Sequence, residues 1–517
     1  MRFSFVRMAL LVAVSAALQC FAFPVGGPLP PSRAVVAWFA LVPMLYAVLS
    51  PAVRTARRAV LVGYATGVLW YLTTCYWVYA TMHVYGNLPV PAAALALVLM
   101  CMYLALYHAL FAALLAAVAR RGRGMALLAA PFLWVAVELA RARVTSFPWN
   151  LLGYAQVDNS ILTQLAPYTG VYGPSFVLAT VNAALAGPLI WPRVKPVAAV
   201  ALSAALLAGV VQSAGLRQRP AVAQGREKVV LLQPNLDVGS GEQLNVQALA
   251  TSSTRLTLQA AAADADTVRV VLWPESPSPF QTDREEFTGS VQAMSQELKS
   301  PVIAGAIGTA PIPQQQRLAY YNSAALFEPG AGPSQRYDKI HLVPFGEFVP
   351  FSGLFRFASG LTQAVGTFDR GTQRTPLVAA GHRYGTFLCY ESIFGDEVRQ
   401  FTKAGADVLV NLSDDGWYGD SSAPFQHLNM ARMRAIENHR WVLRDTNTGV
   451  TASIAPDGRV VEVMERHRRG AAAMHFNFET SLTFYTRHGD LFAYGCAFVT
   501  CILLAVCGFS RRTRSVN

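Results

Sequence analysis

Long apolar stretches, separated by short polar segments, occupy most of the first 217 residues of the chain. A membrane-spanning helix needs about 20 consecutive apolar residues, and most of these stretches approach or exceed that length. Seven precede residue 218 and one lies near the C-terminus, at about residues 5–23, 34–50, 59–80, 90–118, 125–140, 163–192, 197–215 and 489–509. The pattern predicts a multi-span α-helical membrane domain with eight spans.

Two of the stretches depart from a plain apolar span. The fifth ends near Glu138 and Arg141. An ionisable residue at membrane depth is a functional candidate, and the alternative is that these two only pair with each other. The sixth holds prolines and glycines between residues 167 and 174, which predicts a re-entrant or interfacial piece before its helix.

From about residue 218 to residue 487 the pattern changes to short runs rich in Val, Leu and Ile that alternate with helical ones. Strands are predicted at 228–233, 268–273, 302–307, 324–327, 385–390, 407–412, 441–445 and 450–455, and helices at 283–299, 393–404 and 424–439. Such alternation predicts an α/β layered domain. We therefore divide the chain into a membrane domain (1–217), a soluble domain (218–487) and a last span with a basic tail (488–517).

Basic residues exceed acidic ones by 42 to 30, a net charge of +12. In the membrane region they gather in alternate connecting segments: Arg2 and Arg7; Arg54, Arg57 and Arg58; Arg120, Arg121 and Arg123; Arg193 and Lys195; Arg511, Arg512 and Arg514. Because positive residues mark cytoplasmic segments, both termini are predicted to be cytoplasmic and the soluble domain to lie on the other side. A cleaved N-terminal signal is the alternative for the first stretch, but its removal would invert the agreement with this pattern. No basic face gathers in the soluble domain, so nucleic-acid binding is not expected.

Six of the seven cysteines lie in the apolar stretches, and only Cys389 lies in the soluble domain. It ends a predicted strand just before a predicted helix, where a nearby cation and backbone N–H groups can activate a thiol. Glu275 follows another predicted strand through a proline, and Lys339 lies between the two along the chain. Strand ends are a usual place for chemistry in layered α/β domains. These three residues are the candidates for covalent acyl chemistry.

Each candidate also has an ordinary structural explanation. Glu275 could cap a helix, Lys339 could be a solvated loop charge, and Cys389 could be a small buried apolar side chain. Three further groups have more than one interpretation. The segment Asp414-Asp415-Gly416-Trp417 could be a turn or a metal-binding loop, and we favour a turn; His341 could pair with Cys389 or pack, and we favour packing. Arg432 and Arg434 are interpreted as a solvated or dimer-facing stripe on their helix.

The motifs of the soluble domain together resemble those of the nitrilase, or carbon–nitrogen hydrolase, superfamily. They are Trp-Pro-Glu ending at Glu275, the segment 339–350 that begins with Lys339, Cys-Tyr-Glu from Cys389, Asp-Asp-Gly-Trp-Tyr-Gly from Asp414, and Gln426-His427 with the segment 431–437. In the membrane region, Glu138, Arg141, Phe147-Pro148-Trp149 and Gly153-Tyr154-Ala155-Gln156 are similar to one membrane-embedded branch of that superfamily, the apolipoprotein N-acyltransferases. The resemblance covers essentially the whole chain.

The resemblance implies an α-β-β-α sandwich with a Glu-Lys-Cys triad. Cys389 would be the nucleophile, Glu275 the general base and Lys339 the cation that stabilises the tetrahedral intermediate. Glu347 and Glu391 would be supporting residues that orient Lys339 and the site, and Tyr390 is grouped with them. Backbone N–H groups after Cys389 would be oxyanion donors.

It also implies the reaction and its partners. Cys389 would take an acyl chain from a membrane phospholipid as a thioester, and the N-terminal amine of a diacylglyceryl apolipoprotein would receive it as an amide, with ping-pong kinetics. The place would be the bacterial inner membrane, with the catalytic domain on its periplasmic side. No metal, nucleotide or haem motif is present in the sequence, so no cofactor is expected.

Four aromatic or apolar residues are predicted lipid or substrate contacts: Phe351, Leu354, Trp417 and Trp149. The segment 345–361 is too apolar for an ordinary exposed loop, so we expect it to enter the membrane or line an acyl groove, with core packing as the alternative. No tryptophan follows the first strand, where the family commonly has one.

Two other functions remain open on sequence alone: a membrane-tethered hydrolase of a small carbon–nitrogen substrate, and a non-catalytic lipid or lipoprotein binder.

Overall fold

The computed structural model describes residues 5–25, 30–51, 53, 55–217, 224–238, 245–263, 266–275, 279–348 and 368–512. The chain forms two compact units. The first takes in the described parts of Met1–Tyr79, Ala94–Pro220 and His488–Asn517, and the second those of Ala80–Ala93 and Ala221–Arg487.

Helices form most of each of the eight predicted apolar stretches of the membrane region. Its helices are Phe5–Phe21, Val42–Leu49, Ala56–Thr74, Trp77–Ala80, Val90–Ala119, Arg123–Val144, Ala166–Thr169, Tyr172–Ile190, Lys195–Arg217 and Leu491–Arg512, with 3-10 turns at Pro31–Trp38, Leu152–Gln156 and Leu162–Leu165 and a π turn at Thr81–Tyr85. Consecutive apolar residues favour this form because a helix satisfies all its backbone hydrogen bonds internally.

Five segments of the described chain are long and apolar enough to cross a membrane: Ser32–Leu49, Val90–Ala119, Arg123–Val144, Tyr172–Ile190 and Lys195–Arg217. The pair Ala56–Thr74 and Trp77–Tyr85 is a sixth candidate, bent by 55° at a short break. Phe5–Phe21 and Leu491–Cys507 are apolar but shorter. The first unit therefore has the character of a multi-span membrane domain, while the count of eight spans stays a prediction.

The predicted irregular piece before the sixth span takes the form of two short turns, Leu162–Leu165 and Ala166–Thr169. Gly170 follows them with φ 62°, a conformation that favours glycine, and the long helix begins at Tyr172. The left-handed backbone conformation of Gly170 thus accounts for the break before the helix, and the glycines of this segment already indicate it.

Glu138 and Arg141 are both buried in the helix Arg123–Val144 of the first unit. Glu138 Oε1 accepts a hydrogen bond from the Leu152 N–H at 2.7 Å, and Arg141 Nη1 donates to the Tyr71 hydroxyl at 2.7 Å. No ion pair joins the two side chains in the part of the chain that the structure describes. Simple mutual pairing, one of the two explanations from sequence, therefore does not account for them.

The second unit contains two six-stranded mixed sheets. Their strands are β1 (Glu227–Gln233), β2 (Val268–Trp273), β3 (Val302–Ile312), β4 (Arg317–Phe327), β5 (Pro333–Asp338), β6 (Leu377–Ala379), β7 (His382–Leu388), β8 (Val408–Ser413), β9 (Val442–Thr446), β10 (Thr451–Ile454), β11 (Val460–Met464) and β12 (Gly470–Phe476). The first sheet has the order β12-β1-β2-β3-β4-β5 and the second β11-β10-β9-β8-β7-β6.

Alternate residues of each strand point to opposite faces, and both faces of the first sheet are apolar. Val229 and Leu231 lie in the core shared with the second sheet, whereas Val230 and Leu232 pack in a second core. The helices of the unit are Val246–Ala261, Glu285–Leu298, Gly395–Lys403, Ala423–Asn438 and the short Phe484–His488. The first two contribute to the second core and the next two to the shared core. The predicted fold class, an α-β-β-α sandwich joined to a multi-span helical membrane domain, is confirmed.

Strand directions bring the ends of chemically important strands together. β2 is parallel to β3, and β4 and β5 each run antiparallel to the strand before them, so β5 runs in the same direction as β2. In the second sheet β7, β8 and β9 are mutually parallel. The carboxyl ends of parallel strands meet at one edge, and the residues that follow them are therefore neighbours.

Candidate active site

The three sequence-predicted triad residues each follow a strand of the second unit. Glu275 lies two residues past β2, Lys339 directly follows β5, and Cys389 directly follows β7. All three are buried, with 7%, 1% and 6% of their surface exposed. A charged side chain is rarely buried without a partner, so the contacts of Glu275 and Lys339 need an explanation.

The Lys339 ammonium lies between two carboxylates. Its Nζ is 2.9 Å from Glu275 Oε1 and 3.0 Å from Glu347 Oε1. Burial alone lowers the pKa of Lys339, but the charges of Glu275 and Glu347 outweigh it and raise the pKa well above its usual value. Lys339 is therefore a permanent cation in this site.

Asn322 on β4 completes the group and was not predicted from sequence. Its Nδ2 donates to Glu275 Oε1 at 2.7 Å and to Glu347 Oε1 at 2.6 Å. The second oxygen of each carboxylate accepts one backbone N–H, from Asp414 at 3.0 Å for Glu275 and from Val343 at 2.8 Å for Glu347. Both carboxylates are thus fixed by the fold before any substrate arrives.

Cys389 begins the turn Cys389–Ile393 with φ 42°, in the left-handed region that side-chain-bearing residues rarely adopt. Such backbone strain persists only where the surroundings enforce it, and it is common at functional sites. Burial and the Glu275 charge raise the pKa of the Cys389 thiol well above its usual value, while Lys339 and a hydrogen bond from Ser413 oppose them. The resting thiol is therefore protonated near neutral pH.

Glu391 connects the loop after Lys339 with the end of β7. Its Oε1 accepts hydrogen bonds from the Tyr337 hydroxyl at 2.8 Å and from the Ile340 and His341 N–H groups at 2.9 and 3.1 Å. Its Oε2 accepts from the Leu388 N–H at 2.8 Å. Glu391 thus ties the backbone beside Lys339 to the backbone beside the nucleophile candidate. Tyr390, the remaining supporting residue, is buried and packs edge-on against Phe394.

The aspartate pair after β8 forms a turn. Asp414 Oδ1 accepts the Gly416 N–H at 2.9 Å and caps the 3-10 segment Asp415–Tyr418. Burial and the nearby Glu275 charge raise the pKa of Asp414 from 3.8 to about 7, although its hydrogen bonds oppose this. Among the described residues no group of three or more His, Cys, Asp and Glu side chains could hold a metal ion.

Asp415 points into a buried network with His427 and Arg444, which sequence reasoning singled out only in part and without a role. Although burial opposes it, the Arg444 guanidinium at 2.7 Å and His427 hold the pKa of Asp415 well below its usual value. His427 Nε2 lies 3.0 Å from the backbone oxygen of Cys389. The network therefore contacts the nucleophile candidate from inside the domain.

Other sequence-predicted residues lie as follows. Trp417 is half-buried and meets the Tyr85 ring edge-on, and Trp149 is buried against Trp77 and Phe147 in the first unit. His341 stacks on Phe394 and its Nδ1 lies 3.2 Å from Glu397, which agrees with the favoured packing role. Phe351, Leu354 and most of the apolar segment 345–361 lie outside the described residues. Their contact roles stay predictions.

One expectation is wrong. Arg432 and Arg434 do not form a solvated or dimer-facing stripe, because Arg434 is 1% exposed and Arg432 is 9% exposed. Arg434 pairs with Glu437 one turn along the same helix at 3.1 Å, and Arg432 donates to the Gly458 carbonyl at 2.7 Å. The helix Ala423–Asn438 is buried almost all round, so its charges are paired inside the domain.

Comparison with known proteins covers both units. A family model described as the apolipoprotein N-acyltransferase N-terminal domain matches residues 15–184, and one described as carbon-nitrogen hydrolase matches residues 221–475. A protein named apolipoprotein N-acyltransferase from Geobacter metallireducens is 34% identical over 518 residues, covering 98% of this chain and 96% of that relative. One of the same name from Ralstonia nicotianae is 33% identical over 495 residues, covering 92% and 90%. The solved structure of Saccharomyces cerevisiae Nit3, a member of branch 10 of the nitrilase superfamily, is similar with a TM-score of 0.37 and 17% identity over 50% of this chain and 92% of that one.

Proposed function

The chain belongs to the apolipoprotein N-acyltransferase family, and from that premise we propose how its own residues carry out the transfer. The protein is an acyltransferase of lipoprotein maturation with a carbon–nitrogen hydrolase domain. In the proposal Cys389 is the nucleophile, Glu275 the general base and Lys339 the cation beside the developing oxyanion. The observation that carries it is the placement of the Lys339 ammonium 2.9 Å from Glu275, together with the buried Cys389, the pKa of whose thiol is influenced by the charges of both.

Glu275 is the base because one of its oxygens keeps room for a proton. Oε1 already accepts from Lys339 and Asn322, whereas among the residues that the structure describes Oε2 accepts only the Asp414 N–H. A carboxylate oxygen has two acceptor positions, so Oε2 retains one. Glu347 has a similar set of donors, and it is the charge of Glu275 that raises the pKa of the Cys389 thiol. We therefore assign Glu347 to the orientation of Lys339.

In the first half-reaction the thiol proton passes to Glu275 Oε2 and the thiolate attacks an ester carbonyl of a phospholipid. The negative charge on the tetrahedral oxygen is stabilised by Lys339 and by backbone N–H groups of the turn that Cys389 begins. The ester C–O bond then breaks, and the departing lysophospholipid oxygen takes the proton back from Glu275. The products are a lysophospholipid and a thioester on Cys389.

In the second half-reaction the N-terminal amine of the diacylglyceryl apolipoprotein attacks the thioester carbonyl. Glu275 accepts the ammonium proton of that intermediate, the C–S bond breaks, and the proton returns to the Cys389 thiolate. An amide forms and the free thiol is regenerated. The protein is unchanged after both halves, as ping-pong kinetics require.

The proposal is tested by the mass of the purified protein after incubation with phospholipid vesicles. We expect an added mass equal to one acyl chain, located at Cys389 by peptide mapping, with an equal amount of lysophospholipid released. Cys389→Ala should lose the adduct, whereas Cys501→Ala, which removes an exposed thiol in the last helix, should keep it. An adduct that survives Cys389→Ala would contradict the assignment.

We also propose that the protein lies in the bacterial inner membrane with both termini cytoplasmic and the second unit periplasmic. The support is the gathering of arginines in alternate connecting segments, such as Arg120, Arg121 and Arg123. An impermeant maleimide applied to intact spheroplasts should label Glu286→Cys, an exposed position of the second unit, above the background of the parent chain. It should leave Arg193→Cys unlabelled until the membrane is opened. The reverse pattern would overturn the topology.

A further inference from the structure

Beneath the turn that carries Cys389 lie four buried side chains, which we call the support group: Ser392, Asp415, His427 and Arg444. His427 Nε2 is 2.6 Å from Ser392 Oγ, and its Nδ1 is 3.0 Å from Asp415 Oδ1. Arg444 Nη2 bonds Asp415 Oδ2 at 2.7 Å and lies 3.1 Å from His427 Nδ1. The support group is thus continuous from the core of the second sheet to the nucleophile turn.

Ser392, His427 and Asp415 have the connectivity of a serine–histidine–aspartate triad, but their location argues against a second nucleophile. All three are 0% exposed, so no substrate carbonyl reaches the Ser392 hydroxyl. What His427 does reach is the nucleophile residue itself, because its Nε2 is 3.0 Å from the backbone oxygen of Cys389. The support group therefore acts on the position of Cys389.

The direction of that contact follows from the hydrogen-bonding groups. A carbonyl oxygen only accepts, so the 3.0 Å contact is a hydrogen bond when His427 Nε2 carries the ring proton. The other ring nitrogen, Nδ1, faces both an acceptor, Asp415 Oδ1 at 3.0 Å, and a donor, Arg444 Nη2 at 3.1 Å. The neutral tautomer with the proton on Nε2, in which Arg444 donates to Nδ1, is the one that gives the Cys389 carbonyl a donor.

We propose that His427 is a positioning residue for the nucleophile. By holding the Cys389 carbonyl, it keeps the residue at φ 42° and so fixes where its thiol lies. Without that donor the turn can relax toward an ordinary backbone conformation, and the thiol leaves the position from which it attacks. The inference rests on the proposed role of Cys389 as the nucleophile.

The test compares His427→Gln, which can place an amide N–H where Nε2 stands, with His427→Asn, whose amide is too short to reach the carbonyl. His439→Asn is the matched control, because His439 is an exposed residue at the end of the same helix with φ 49°, a conformation that asparagine tolerates. For each variant the acyl adduct on Cys389 is followed in time at several phospholipid concentrations. This gives the amount of adduct, its maximal rate and the half-saturating lipid concentration.

We expect His427→Asn to slow the maximal acylation rate about 10- to 100-fold, the range for a lost buried hydrogen bond and a displaced reacting atom, with half-saturation unchanged. His427→Gln should recover most of the rate, and His439→Asn should match the parent. If His427→Asn lowers only the amount of adduct and leaves its rate constant unchanged, the residue serves folding and the inference is wrong. An acyl adduct on Ser392 in Cys389→Ala would also overturn it. If the parent chain forms no adduct at all, the proposed function itself fails, which is a different result.

Discussion

At the scale of single residues, Asp414 links the carboxylate of Glu275 to the pH of the surroundings. Its backbone N–H donates to Glu275 Oε2, and its side chain is buried near that charge. Burial first, and the Glu275 charge in addition, raise the pKa of Asp414 to about 7. The group therefore titrates near neutral pH.

The raised pKa predicts a definite pH dependence of stability. The folded state binds the Asp414 proton more tightly than the unfolded chain does, so this stabilisation is complete below pH 4 and is lost as the pH rises to about 7. It amounts to roughly 4 kcal/mol at most, at about 1.4 kcal/mol per pKa unit. Asp414→Asn removes the titration, so its Tm relative to the parent should increase between pH 5 and pH 8. A Tm difference that stays constant over that range would contradict the prediction.

The sequence allowed the triad to be predicted because each member stands in a motif, Glu275 and Cys389 at predicted strand ends and Lys339 between them along the chain. Asn322 had no such signal. It lies inside β4, where a polar residue usually faces solvent, and only the fold shows that its amide donates to Glu275 and Glu347. His427 stood in a recognised motif, but its contact with the Cys389 carbonyl joins residues 38 positions apart. Such contacts depend on packing that local sequence does not encode.

At the scale of elements, a single side chain fixes the loop after β5 to the end of β7. Glu391 accepts four hydrogen bonds from donors on these two elements and is buried. Because a carboxylate accepts only, it suits four converging donors, whereas an amide would turn its own N–H groups toward some of them. The hydrogen bonds of Glu391 thus align the loop that begins with Lys339 with the turn Cys389–Ile393.

Glu391→Gln should therefore destabilise the domain by about 2 to 4 kcal/mol, the range for breaking a buried hydrogen-bonded charge. The matched control is Glu397→Gln, which alters a less buried carboxylate that pairs with His341 and Arg374 and should cost less than half as much. Thermal unfolding of both variants in detergent measures the difference. Equal shifts in Tm would show that Glu391 has no special part in joining the two elements.

All eight predicted strands are present, and the elements that sequence missed have physical reasons. β5 and β11 lie at sheet edges. β5 is mostly polar, and β11 is five residues long with all of them exposed or half-buried. β6 has three residues, and β12 is rich in alanine, a poor strand former. The helix Val246–Ala261 is rich in threonine, serine and alanine, so its apolar face is weak. Long apolar runs are predictable, and weakly patterned elements depend on tertiary packing.

At the scale of the whole molecule, the chain combines a multi-span helical unit with a carbon–nitrogen hydrolase sandwich, and relatives named apolipoprotein N-acyltransferase match almost its full length. A hydrolase that needed only an anchor would require a single span. The proposed triad chemistry by itself could transfer the acyl group to water or to an amine equally well. In the proposed mechanism the two outcomes differ in the fate of the acyl group on Cys389, and a site that excludes water would favour the amine.

The most direct measurement follows that acyl group in a single turnover. The purified protein is loaded with a labelled acyl chain from phospholipid, freed of lipid, and mixed with a peptide that begins with diacylglyceryl-cysteine. We predict that the label leaves Cys389 and appears as an amide on the peptide N-terminus much faster than as free fatty acid in peptide-free buffer. Release of fatty acid at the same rate with and without peptide would contradict the account, as would peptide acylation that bypasses the Cys389 thioester.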